Sequence, residues 1–82
     1  MDIHQSISRF LIDSQRWTGS PAGLTLEYPL IEKDVLDSLA IFEMIAYLED
    51  RFGIQIEDND LIPENFENIA AVVHLVERLR AS

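Results

Sequence analysis

The sequence predicts an all-α fold: three amphipathic helices and one short helical turn, with a long loop between the first two helices. Three observations predict it. Apolar residues recur at the helical period in three separate stretches. Capping residues and breakers stand at the ends of those stretches. Of the 82 residues, 48% are apolar and an ordinary 26% are charged, enough apolar material for one small core in spite of strong acidity.

The first helix is expected from about Asp2 to Trp17. Ile3, Ile7, Phe10 and Leu11 follow the i, i+4, i+7, i+8 spacing of one stripe. Asp2 is a candidate cap, and the run Thr18-Gly19-Ser20-Pro21-Ala22-Gly23 is a cluster of breakers. Lone Trp17 is expected in the core at the helix end. The connection from Thr18 to Asp37 is long for so small a domain. It holds Leu24, Leu26, Leu30, Ile31, Val35 and Leu36, too apolar for a disordered linker. It therefore reads as a loop laid across the other helices, anchored by Leu30 and Ile31.

The second helix is expected from about Ser38 to Phe52. Ile41, Met44, Ile45, Leu48 and Phe52 fall in one sector of about 100°. Gly53 stands where a left-handed C-terminal residue belongs. The outer face carries Leu39, Glu43, Ala46 and Asp50, with Phe42, Tyr47 and Glu49 at its margins. Pro63-Glu64-Asn65-Phe66 is suited to one short helical turn, with proline near its start. The last helix is expected from about Asn68 to Leu79, capped by Asn68. Its stripe of Ile69, Val72, Val73, Val76 and Leu79 keeps the helical period through the β-branched pair.

Fifteen acidic residues against six basic ones give a formal net charge of −9. Twelve of the acids lie between Glu27 and Glu67, opposed only by Lys33 and Arg51. The net charge argues against non-specific binding to nucleic acid, which needs cations to neutralise phosphates, and against anionic membrane surfaces. The acidic stretch has two readings: solvation of a small surface, or an electrostatic face that steers basic partners. Cysteine is absent, so neither a disulfide framework nor a thiolate metal site is expected. No apolar run approaches the roughly 20 residues of a spanning helix, and the N-terminus does not resemble a signal peptide. The length leaves no room for a second domain of ordinary size. One cytoplasmic domain over residues 1–82, acting as a monomer, is the expectation.

Most chemistry fails at the level of motifs. His4 and His74 have no second nitrogen ligand nearby, so no metal site is expected. Asp58-Asn59-Asp60 begins like a calcium loop, but Ile62-Pro63 follows where a ligand and the turn glycine belong. No serine stands in a nucleophile elbow, and no glycine-rich phosphate loop exists. No catalytic residue is assigned, and a binding or carrying module is expected rather than an enzyme. Ser38 remains. Its plain reading is a cap, since either Asp37 or Ser38 could satisfy the orphan N–H groups of the second helix. Its position is also suited to a phosphodiester, which would sit at the positive end of the helix dipole.

Val35-Leu36-Asp37-Ser38-Leu39, then Glu43, Leu48-Glu49 and Phe52-Gly53-Ile54, and an acidic segment before a final apolar helix resemble the acyl carrier proteins. The resemblance covers roughly Leu24 to Leu79. It implies a four-helix bundle, three main helices and one short one, in which Ser38 carries covalent 4′-phosphopantetheine from coenzyme A. By the same analogy Asp37 helps present Ser38 to a magnesium-dependent phosphopantetheinyl transferase. Leu39, Phe42, Glu43, Ala46, Glu49 and Asp50 would dock partner enzymes. Those partners would be an acyl- or aminoacyl-activating ligase and downstream acyl transferases or synthases. Many carriers have glycine just before Asp-Ser; here Asp34, Val35 and Leu36 stand there, and Asp34 is the residue able to make a left-handed turn. The run from Leu61 to Ile69, with Leu36 before Asp37, looks more like freestanding carriers served by stand-alone ligases than like fatty-acid carriers. The alternative from another class is an acidic helical adaptor for a basic protein, with Ser38 only a cap.

Overall fold

The computed structural model describes residues 3–81. Three α-helices form in the expected order: α1 (Ile3–Asp13), α2 (Ser38–Phe52) and α3 (Ile69–Ala81). Three-residue 3-10 turns occur at Pro21–Gly23, Asp58–Asp60 and Pro63–Asn65, and there is no strand among the described residues. The segment expected as a short fourth helix is thus a single 3-10 turn, closed by the Phe66 N–H donating to the Pro63 carbonyl at 2.9 Å. Helix α3 packs against both α1 and α2.

Helix α1 buries Ile3, Ile7 and Leu11. Phe10 lies at the core's edge and stacks on Tyr47 of α2, with ring centroids 4.8 Å apart. The proposed cap Asp2 lies outside the described residues. The helix ends four residues before Trp17, a correction to the expected boundary. The Gln15 N–H donates to the Ile12 carbonyl, and the Arg16 N–H to the Leu11 carbonyl at 2.9 Å, with Gln15 at φ 64°. This is a Schellman closure with glutamine in the left-handed position that glycine ordinarily takes. Trp17 is consequently part of the loop. Its indole packs edge-on against Tyr28 at 4.9 Å and donates to the Ser20 carbonyl at 2.9 Å. A Cβ at Gly19 or Gly23 would stand 3.1 or 3.2 Å from the indole, so both glycines let the loop wrap it closely.

The long loop is laid across the helices as its apolar content required. Leu24, Leu30, Val35 and Leu36 are buried, and Ile31 packs at the core's edge. The Leu30 N–H donates to the Glu67 carbonyl at 2.8 Å, and the Ala70 N–H to the Leu26 carbonyl at 3.0 Å. Residues 30–33 make one further turn, closed by Asp34 at φ 61° with the Val35 N–H on the Leu30 carbonyl. Asp34 therefore makes the left-handed turn expected of it, and the chain reaches Asp37 in a fixed orientation.

Helix α2 has the boundaries read from the sequence. Its core row is Ala40, Met44 and Leu48, all fully buried, while Ile41, Ile45 and Phe52 are only partly covered. At 100° per residue the buried row is turned by roughly 60° from the expected stripe. The small Ala40 takes the interior position, and the two isoleucines face a groove. Gly53 closes the helix at φ 65°, its N–H on the Glu49 carbonyl. No atom lies within 4 Å of a Cβ built there, so the substitution Gly53→Ala meets only backbone strain. We expect it to cost about 1 kcal/mol, seen as a lower urea midpoint with an unchanged slope.

Helix α3 is capped as expected, Asn68 Oδ1 accepting the Ala71 N–H at 2.8 Å. It buries Ile69, Val72, Leu75 and Val76. His74 is exposed. Asp60, the last residue of the broken calcium-like motif, is buried; it accepts the Glu57 N–H and pairs with Arg78 at 3.2 Å. Its carboxylate fixes the 58–60 turn to α3.

Candidate functional site

The site is built where the loop hands the chain to α2. Asp37 is extended (φ −104°, ψ −175°), and its Oδ1 accepts the Ala40 N–H at 2.8 Å. Asp37 is therefore the cap. Ser38, the first residue of the helix, is exposed and its hydroxyl is not used for capping. The first N–H groups of the helix have no carbonyl one turn back inside it, so they add to the positive end of the dipole beside Ser38.

Beside Ser38 runs an open apolar groove of about 530 Å³. Ile31, Leu36, Ile41, Ile45, Pro63 and Phe66 line it, with Phe42, Leu61 and Ile62. Asp34, Asp37 and Ser38 also belong to its lining. The exposed isoleucine edges of α2 and the 61–63 segment thus meet next to the serine.

The outer face of α2 carries the residues expected there. Leu39 and Phe42 are 61% and 73% exposed, too much for core members and consistent with a contact face. Glu43, Ala46 and Asp50 are exposed beside them. Glu49 differs: it is half-buried, and its Oε2 accepts the Ile56 N–H at 2.9 Å, so one of its oxygens holds the chain after α2. Two features escaped the sequence reading. Leu61 and Ile62 are about half exposed and extend the apolar surface across the groove. Arg16 reaches from beyond α1 to Glu43 Oε1 at 3.2 Å and Asp37 Oδ2 at 3.6 Å.

Among the described residues, no group of three or more His, Asp or Glu side chains is placed to hold a metal ion. No helix there is long and apolar enough to cross a membrane.

Comparisons with known proteins converge on this region. The family model described as "Phosphopantetheine attachment site" matches residues 34–76. The chain is 34% identical over 70 residues to "Probable acyl carrier protein PigG" of Serratia sp. (strain ATCC 39006), covering 85% of this chain and 80% of that protein. Among solved structures, a chain described as "Crystal structure of FAD-dependent dehydrogenase" matches with a TM-score of 0.67 at 33% identity, over 74% of this chain and 86% of that one.

Proposed function

The chain belongs to the acyl carrier proteins, with their phosphopantetheine attachment domain, and from that premise we propose that Ser38 is the attachment residue. As a member of that family it is a carrier and not a catalyst, and its prosthetic group is covalently bound 4′-phosphopantetheine. The adaptor alternative has no support in these relationships. One observation carries the choice of Ser38: it is exposed at the start of α2 while Asp37 performs the capping. The serine is thus free for chemistry without cost to the helix.

The residues fit the group. The bound arm supplies a thiol on which acyl or aminoacyl cargo rides as a thioester, and tethering gives that cargo a high effective concentration at each partner. The absent cysteine is then no obstacle. In the attachment step Ser38 Oγ would give its proton to a base of the transferase and form the new bond to phosphorus as the pyrophosphate bond of coenzyme A breaks, with adenosine 3′,5′-bisphosphate as the leaving group. The N–H groups of the first turn of α2 favour the phosphodiester charge so placed. Asp37 holds the helix start in position through Ala40. The groove gives an apolar surface next to the attachment oxygen.

The fourth member of the bundle, on this reading, is the Pro63–Asn65 turn. The radius of gyration, 11.6 Å, is near the roughly 12 Å of a compact 82-residue chain, which supports one carrier domain. The acidic, partly apolar face of Leu39, Phe42, Glu43, Ala46 and Asp50 suits brief docking of basic-rimmed enzymes in the cytoplasm. Glu49 is placed at its margin. Partners are the phosphopantetheinyl transferase, a stand-alone ligase that loads acyl or aminoacyl groups, and downstream acyl transferases or synthases. A flavin dehydrogenase is a further proposed partner class, supported by the likeness to a chain described as "Crystal structure of FAD-dependent dehydrogenase".

The test is intact mass after incubation with coenzyme A, magnesium and a broad-specificity transferase. One phosphopantetheine gained per chain is expected; no gain overturns the carrier assignment. The docking face makes a second expectation. Glu43→Lys or Asp50→Lys slows loading about fivefold to tenfold at low salt, the Coulomb effect of two charge units near a partner cation. Unfolding midpoints stay close to wild type, and unchanged loading rates in both variants count against this face.

A further inference from the structure

We infer that Arg16 is an internal counter-ion of the docking face, occupying the carboxylates beside Ser38 so that a basic partner must compete with it. The inference rests on Ser38 being the attachment residue. Its observation is separate: one guanidinium spans Asp37 at 3.6 Å and Glu43 at 3.2 Å, one residue before and five residues after the serine.

The reach is built into the fold. Arg16 follows the left-handed Gln15, and its N–H is held by the Leu11 carbonyl at 2.9 Å. The next residue, Trp17, donates to the same carbonyl at 3.1 Å and is fixed again through its indole. The backbone is thus pinned at positions 16 and 17, and the arginine side chain is only 25% exposed. Its two partners remain accessible, at 59% and 47% exposure, so an incoming cation can approach them. The partial exposure of both carboxylates screens the two ion pairs and limits what they contribute to stability.

The consequence is selective. With Arg16 in place, Asp37, Glu43 and Arg16 together carry one negative charge instead of two. Asp50 keeps its full field farther along the helix. Partners that rely on Asp50 and the apolar Leu39 and Phe42 are favoured over partners recognising charge alone. Arg16 therefore lowers indiscriminate attraction at the place where chemistry occurs.

The experiment compares wild type, Arg16→Gln and Arg16→Lys in two measurements on the unloaded chain. The first is kcat/KM for phosphopantetheine transfer at low and high salt. The second is binding of a fluorescent pentalysine peptide at the same salts. Arg16→Gln should raise both about threefold at low salt, the effect of one more charge ~7 Å from a cation in water. The gain should vanish at 1 M salt, where the screening length is about 3 Å. Arg16→Lys, which keeps the charge, should match wild type. An Arg16→Gln rate and affinity that are unchanged or lower at low salt overturn the inference, as does a gain that persists at high salt. Failure of wild type to accept the group is a different result. It overturns the carrier assignment and the Ser38 assignment with it, and the peptide measurement still decides the role of Arg16.

Discussion

Ser38→Ala is expected to abolish phosphopantetheine uptake completely while leaving the protein as stable as wild type. The second half of that expectation makes the first interpretable. A serine at the start of a helix is ordinarily a cap, and losing a cap costs about 1 kcal/mol. Here the Ala40 N–H is taken by Asp37 Oδ1 at 2.8 Å, and the Ser38 side chain is exposed. Alanine is also the better helix former. The unfolding free energy, read from urea titration, should therefore move by no more than about 0.5 kcal/mol in either direction. Asp37→Ala is the poorer probe, because it removes the cap and an Arg16 partner together. Intact mass after transferase treatment is the measurement. Uptake by Ser38→Ala equal to wild type would place the arm on another hydroxyl, and peptide mapping would find it.

How much of this was visible in the residues depends on whether each feature had a local cause. The ends of α2 did, since Asp37 and Gly53 are the residue types that cap and close helices, and both act as expected. The end of α1 did not. Gln15 gives no compositional sign that it will adopt φ 64°, while the conspicuous breakers begin only at Thr18. The rotation of α2 had a tertiary cause. Hydrophobicity ranks Ile41 and Ile45 above Ala40, but the covering segments leave the isoleucines at the groove and enclose the alanine.

The same distinction runs through the site. Asp37-Ser38 and the outer face of α2 are contiguous in sequence, so their pattern could be read directly. Arg16 lies 27 residues from Glu43, and only the Schellman turn and the wrapped loop bring them together. Leu61 and Ile62 stand before a proline without helical period, and nothing local says that they flank the serine. In sequence Arg16 lies outside the acidic stretch from Glu27 to Glu67. In space it belongs to the acidic middle.

Phe66→Ala should produce the largest loss of stability of any single substitution considered. Phe66 is 1% exposed and heads the fully buried side chains by volume. Truncating such a ring costs about 3–5 kcal/mol, against a total of roughly 4–12 kcal/mol for a domain of this length. The variant should therefore unfold at a much lower urea concentration, or be partly unfolded without denaturant. The position also matters for the site. A three-residue 3-10 turn has little stability of its own, and Phe66 is the buried anchor that follows Pro63–Asn65. Its neighbour Glu67 accepts the Leu30 N–H at 2.8 Å, tying the turn to the long loop. Loss of the ring thus releases the wall of the groove that carries Leu61 and Ile62 as well as weakening the core. Phe66→Leu keeps an apolar side chain there, so it should lose less stability and still accept phosphopantetheine. If Phe66→Ala shifted stability by less than about 1 kcal/mol, this packing would be wrong. An intact Ser38 would then be presented by some other arrangement of the 58–68 segment.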